Sequence, residues 1–427
     1  MKPIKRFKEL WINFKFFRYT VILHLGYFIV SLIIVLTILR DQNDFIIYFN
    51  AGGIFYKNIE DLYNQEHYLW DYRYLPLSAM FFVPFYLLGF EVGFIVFHIL
   101  NLILNILICI VLYKICKLVK GEDHEKDDKR IIIYISVYLV GLPQMFNYIL
   151  GQINLYITFF ILISLYIFLK YEKLKWQFVG SLILGIGIIL KPTALFLIPF
   201  LLVVNLDLKK RKKLTIDFST SIVRLIGVFL PGSLNIILFL AYPILLEGFI
   251  ETNLTGSNPL TLNFSFSITK LILNFCYVYN IPFNQLYVLI GVLSIIAGLG
   301  FIIFIIGKFD KKSQIIYGIT LGITIMFLGY YDSWDHHLLN LTPLLIIMIF
   351  NLPRHSEITE KYIRKSLLFF SCFDLAFMGI WFLIWFYFPY NFASTIFLIL
   401  IFYGISKYAL IQRKNRSGLK RIRGSKF

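Results

Sequence analysis

DQNDFIIYFNAGGIFYKNIEDLYNQEHYLWDYRYLPLSAMFFVPFYL, residues 41–87, is the one long polar interruption in the amino-terminal part of an otherwise apolar chain. It gathers Asp41, Asp44, Glu60, Asp61, Asp71 and Arg73 among Tyr, Phe and Trp side chains. The run before it, 19–39, is apolar over the roughly 20 residues that a membrane-crossing helix needs. That run is too long for a signal-peptide core and lacks a small-residue cleavage site, so it reads as a mature helix behind the basic start MKPIKRFKEL. Residues 41–87 are therefore a loop at one membrane face, and the rest of the chain is read outward from it.

Of the 427 residues 59% are hydrophobic and only 15% charged, and mean hydropathy is +0.76. Soluble domains sit near about 45–50% apolar and about 25% charged, so the fold class is an all-α polytopic membrane protein. The formal charge of +17 does not point to nucleic acid, because the basic residues sit in short blocks between apolar runs, as the positive-inside rule expects. Cys109, Cys116, Cys276 and Cys372 all lie in apolar runs without metal-ligand spacing and read as unpaired packing residues.

The Lys/Arg blocks fall at 2–18, 114–130, 170–175, 209–213, 308–312, 354–365 and 407–426. With every block cytoplasmic, each interval leaves the cytoplasm and returns, which predicts about twelve crossings with both termini inside. The first hairpin is 19–39 with 91–113, and 75–88 is a short helix embedded in the loop between them. The second is 131–150 with 154–170, turning at GQIN (151–154). The third is 177–206, broken at Lys191-Pro192. The fourth is 218–246 with 283–307, around a Ser/Thr/Asn-rich outer loop. The fifth is 314–330 with 338–351, turning at DSWDHHL (332–338), and the sixth is 366–388 with 391–406. The whole of 1–427 reads as one integral membrane domain. Its parts are a basic cytoplasmic start (1–18), an extracytoplasmic loop (40–90), a transmembrane core (91–351), a final helix pair (366–406) and a disordered basic tail (407–427) lying on anionic lipid.

This topology puts the scarce polar groups Asp44, Arg73, Gln152, Asn154, Lys191, Asp332, Asp335, His336 and His337 on one outer face. No soluble domain of useful size remains, so any chemistry sits there. Asp44 opens a stretch in which Phe45, Phe49, Gly52, Gly53 and Tyr56 recur at helical spacing. Two readings of Asp44 stay open: a cap for a surface helix, or a general base, typically worth about 10²–10⁴ in rate. Asp41 is the rival carboxylate, and Asp41 and Asp44 are spaced like a weak metal pair. Arg73 and Lys191 are cations able to meet a phosphate leaving group without a metal. Lys191 also reads as a lysine snorkelling to the interface. Adjacent His336 and His337 would point about 100° apart on a helix, which makes a shared zinc site a poor fit. One of them donates to a phosphate while the other packs, or both are interfacial. Gln152 and Asn154 either bind sugar hydroxyls or satisfy backbone groups in a tight turn. Trp334 and the other tip aromatics form an interfacial belt by default. Asp374, inside the eleventh expected helix, stands alone, and pairing with His24 or His98 is its expected resolution.

Taken together, these segments resemble the polyprenol-phosphate-mannose-dependent mannosyltransferases of glycosyltransferase family 87, which have the GT-C membrane fold. The likeness lies in D-F-x-x-Y at Asp44, Phe45 and Tyr48, R-Y-x-P-L at 73–77, GQIN at 151–154, the Lys191-Pro192 turn, and S-W-D-H-H at 333–337. It covers roughly residues 40–345. The resemblance implies a GT-C-like fold and a metal-independent, inverting transfer from a polyprenyl-phosphate sugar donor to a lipid-linked or glycan hydroxyl, without a cofactor. It makes Asp44 the base and places one of His336 and His337 near the donor phosphate. Residue chemistry adds Arg73 and Lys191 to the phosphate and sets Asp41, Tyr48, Gln152, Asn154, Trp334 and Asp335 around sugar and acceptor. Leu75 stands where the family often has a proline, and GYYD (329–332) precedes Ser333 where Ser-Pro is common. Mannose is thus inherited from the likeness alone. The competing class is a lipid-linked sugar or polysaccharide transporter or flippase, which calls for paired mid-membrane charges and repeat symmetry that the chain does not clearly show.

Overall fold

The computed structural model describes residues 3–121, 124–207, 213–255, 265–307, 310–331, 333–373, 383 and 387–423. Helices α1 (Pro3–Asn13) and α2 (Lys15–Thr37) lead into the polar loop, which holds α3 (Asp44–Lys57) and α4 (Pro76–Leu87). Next come α5 (Phe90–Lys120), α6 (His124–Val140), α7 (Leu142–Leu150), α8 (Asn154–Lys170) and α9 (Leu174–Leu190). A 3₁₀ segment, Pro192–Leu201, runs into strands β1 (Val204–Asp207) and β2 (Lys213–Ile216). These precede α10 (Phe218–Ala241), α11 (Pro243–Ile250), α12 (Ile268–Val278), α13 (Gln285–Ile306) and α14 (Lys311–Gly329). The 3₁₀ turn Asp335–Asn340 precedes α15 (Thr342–Asn351), and a long final helix spans Thr395–Arg423.

Seven stretches among the described residues are long and apolar enough to cross a membrane: 15–37, 90–120, 127–150, 218–241, 285–306, 311–329 and 395–412. The chain is a helical multi-pass membrane protein. Two of the expected crossings are interrupted where glycine or proline breaks the helix. Gly141 and Pro143 separate α6 from α7 where one helix, 131–150, was expected, and Pro192 ends α9. Two further expectations are corrected. Residues 204–207 and 213–216 pair antiparallel, Val204 with Ile216 through Asp207 with Lys213, so backbone groups beside the basic block find partners in a small sheet. The basic tail, expected to be irregular, continues as helix to Arg423. Asp332, Asp374 and most of 374–386 lie outside the described residues.

Helix α2 turns most of its polar side chains inward and an apolar face outward. On α2, Ile22, Leu25, Ile29 and Ile33 are exposed at helical spacing, whereas Thr20, His24, Ser31 and Val35 are buried. The reason is visible at the break between α6 and α7, where carbonyls lose their helical donors. His24 Nδ1 bonds Leu139 O at 3.0 Å and the Tyr27 hydroxyl donates to Val140 O at 3.0 Å. His24 Nε2 is then the acceptor, facing the Tyr148 hydroxyl at 3.1 Å. The centre of the bundle is α14 and α15, in which Ser313–Gly329 and Thr342–Phe350 are buried throughout.

The polar loop is a folded unit with a small core of Ile47, Ala51, Leu62, Tyr72 and Ala79, closed by Leu245 of α11. Its two helices touch backbone to backbone. A Cβ on Gly52 would lie 2.7 Å from the Phe82 carbonyl, so only glycine lets α3 approach α4 this closely. In turn α4 is fixed to the bundle by Ser78 Oγ, which donates to Leu190 O at the end of α9 (3.1 Å). The Leu77 amide donates to Asn235 of α10 (3.0 Å).

Candidate active site

The loop delivers Asp44 to one end of the bundle. Asn43, not Asp44, caps α3: its side-chain oxygen accepts from the Ile46 amide at 3.1 Å. Asp44 is the first helical residue, and its carboxylate is left for other partners. Trp70 Nε1 donates to Oδ1 at 3.1 Å, and the Gln152 amide makes a short hydrogen bond to Oδ2. An ionised carboxylate has about four acceptor positions, so lone pairs remain on both oxygens.

Gln152 is aimed by the turn that ends α7. Gly151 takes φ +64, the left-handed conformation that closes a helix, and the Gln152 amide N–H then bonds Asn147 O at 2.9 Å. A Cβ on Gly151 would sit 2.8 Å from Cβ of Phe45, the neighbour of Asp44. Lys191 is aimed by the proline after it. Pro192 forces the preceding residue out of helical geometry, and Lys191 ends α9 at φ −147 and ψ 111. Its buried ammonium donates to Gln152 Oε1 at 3.2 Å and to Asn154 Oδ1 at 2.9 Å, and lies 5.9 Å from the Tyr74 ring centre.

Gln152 Oε1 also accepts from the Tyr48 hydroxyl at 3.0 Å. Tyr48 has used its proton there, so the Tyr74 hydroxyl, 2.7 Å away, donates to Tyr48. This pattern fixes the amide orientation, since a flipped amide would turn N–H groups toward an ammonium. Asn154 and Gln152, expected at sugar hydroxyls, thus both give their side-chain oxygens to Lys191. Gln152 keeps one amide proton uncommitted, and Asn154 Nδ2 is buried without a partner among the described residues.

His336 and His337 are buried, with ring centres 4.3 Å apart and planes at 70°. Their turn packs on α7 and α8, and Asn340 Oδ1 accepts from Thr158 of α8 at 3.0 Å. The Trp334 amide points at His337 Nδ1 (3.4 Å), which leaves the proton of a neutral His337 on Nε2. Arg73 lies 3.7 Å from Asp71, with its guanidinium 5.8 Å from the Tyr331 ring centre. Trp334 is exposed and Asp335 part-exposed, and Asp41 is exposed on the turn ahead of α3.

Burial raises the Asp44 carboxyl above its ordinary value, while Gln152, the Lys191 charge and Trp70 pull it back. Burial lowers Lys191 to about 7, against the opposing charge of Asp44. His336 and His337 are held well below the usual imidazole value by burial and then by Lys191, so both are neutral N–H donors near neutral pH. The Lys191 charge therefore bears on Asp44 and on both histidines.

Three contributors were not singled out from the sequence: Trp70, Tyr74 and Asn340. Tyr74 carries a signal, as the aromatic of the R-Y-x-P-L segment. Trp70 carries none, because an indole at a membrane face reads first as belt.

A family model described as Glycosyltransferase family 87 matches residues 72–329. The matched region takes in 73–77, GQIN at 151–154 and Lys191-Pro192, while Asp44 and 333–337 flank it. Comparison with curated proteins and with solved structures returns no match. The matched region is more than half of the chain and carries the helical membrane fold described above, and the chain belongs to glycosyltransferase family 87.

Proposed function

We propose that this membrane glycosyltransferase transfers a sugar, mannose, from a polyprenyl-phosphate sugar to a lipid-linked or glycan hydroxyl at the extracytoplasmic face, with inversion. The observation that carries this reading is the part-exposed Asp44 carboxylate, held by Trp70 and Gln152 at the bundle end that also holds His336 and His337. Asp44 takes the acceptor proton as the acceptor oxygen bonds to the anomeric carbon. The bond from that carbon to the phosphate oxygen breaks, and the lipid phosphate leaves with the electron pair. Arg73 and the N–H groups of His336 and His337 meet the phosphate, so the chemistry calls for no metal. A base whose lone pairs are partly engaged accepts its proton late, as a loose, oxocarbenium-like displacement permits.

The test is a donor scan in membranes, with and without chelator. Polyprenyl-phosphate mannose is expected to donate in both conditions and nucleotide sugars in neither. Asp44→Asn is expected to abolish transfer while the protein stays inserted and folded. Normal transfer by purified Asp44→Asn, or transfer from a nucleotide sugar alone, would sink the proposal.

A further inference from the structure

The Lys191 ammonium is buried at the end of α9, and its hydrogen bonds run to neighbouring side-chain amides. Two of its three protons go to Gln152 Oε1 and Asn154 Oδ1. Gln152 in turn binds Asp44 through the other end of the same amide. The three groups form a chain, ammonium to amide oxygen and amide N–H to carboxylate, with Tyr48 as second donor to the amide oxygen. A polarised amide between opposite charges strengthens both of its hydrogen bonds.

We infer that Lys191 is the positioning counter-charge of the Asp44 base, acting through Gln152, and not a ligand of the donor phosphate. This inference rests on Asp44 being the base. It goes beyond that reading by assigning Gln152 as a bridge and removing Lys191 from the leaving-group site. The groups facing the pair are Trp70 and Gln152 against the carboxylate, Tyr48 on its own helix and Tyr74 across from it, with His336 and His337 within the field of Lys191. Lys191 is the cation whose field bears on the carboxylate. Its removal therefore makes the anion harder to form. The sign follows directly: a base with a higher pKa is protonated at higher pH, so the acidic limb of the rate profile moves up.

The experiment is a pH profile of transfer from polyprenyl-phosphate mannose, in membranes carrying the wild type, Lys191→Gln or Lys191→Met. Lys191→Gln keeps an amide able to donate to Gln152 and Asn154 but removes the charge. The expected result is an upward move of the acidic limb of kcat/KM by about one pH unit or more. At pH well above that limb, donor KM is expected to stay within about twofold of wild type, since uniform donor binding is not lost. Lys191→Met, an apolar chain suited to the buried site that also lacks the charge, is expected to move the limb in the same direction, and it decides the matter if Lys191→Gln does not accumulate folded. An unmoved limb with donor KM raised about tenfold or more would return Lys191 to the phosphate and overturn the inference. A silent wild type, or an active Asp44→Asn in the same membranes, would instead sink the underlying reading of Asp44.

Discussion

Trp70 stands beside Asp44 with its indole N–H on one carboxylate oxygen and 49% of its surface exposed. A hydrogen bond to a charged group is worth about 1.5–3 kcal/mol, so Trp70→Ala is expected to lower kcat/KM by about tenfold or more. Trp70→Phe, which keeps a flat apolar face without the donor, is expected to retain more activity than Trp70→Ala. Steady-state transfer rates in membranes check both, and equal rates for the two variants would remove any role for the ring face. Asp44, Gln152, Asn154 and Lys191 are legible in the sequence because polar groups are scarce in an apolar chain and sit at its turns. What spacing does not show is which atom faces which. GQIN reads as a turn with two amides, and only the left-handed Gly151 reveals that Gln152 is swung under Asp44. Asp41 and Asp44 look alike on paper. The Asn43 cap separates them, leaving Asp41 exposed and Asp44 on the helix.

The loop helices hold their position through contacts with no room for a side chain. Adding a methyl group at Gly52 sets a Cβ 2.7 Å from Phe82 backbone atoms and pushes α3, which carries Asp44, away from α4. Overpacking of this kind costs about 1–3 kcal/mol. Gly52→Ala is therefore expected to lower thermal stability in detergent and to reduce transfer, while Gly26→Ala, whose Cβ would meet nothing within 4 Å, changes neither. Equal melting temperatures for Gly52→Ala and wild type would count against the close approach. Elements with strong periodicity or long apolar runs are foreseeable: α3, α4, the α9 stop at Pro192 and the turn between α7 and α8 all fall where Gly, Pro and polar punctuation place them. The α6–α7 break is less so. Gly141 and Pro143 lie within a run that is apolar enough to cross unbroken, and the carbonyls freed there find donors on α2, far away in sequence.

Basic blocks and apolar lengths lead to a helical multi-pass protein, and seven stretches have the length to cross. The finer expectation of about twelve crossings depends on shorter segments, among them α8, α9, Pro192–Leu201 and α15. Length alone does not decide whether such a helix spans, tilts or lies in the interface. Sidedness is open to direct measurement. With Cys109, Cys116, Cys276 and Cys372 replaced, Asp41→Cys is expected to react with an impermeant maleimide in intact cells, and His355→Cys only after permeabilisation. Both positions are exposed, so access is set by the membrane and not by burial. Labelling of position 355 from outside would invert the topology. The bonds from α2 to the end of α6 bear on how the amino-terminal segment is to be regarded. It looks like an interchangeable hydrophobic anchor, one that any greasy leader would replace. Yet it supplies the proton donors that two main-chain oxygens would otherwise lack in hydrocarbon, a deficit of several kcal/mol per group. Swapping it for a generic polyleucine stretch would preserve attachment to the bilayer and unseat the helix it serves.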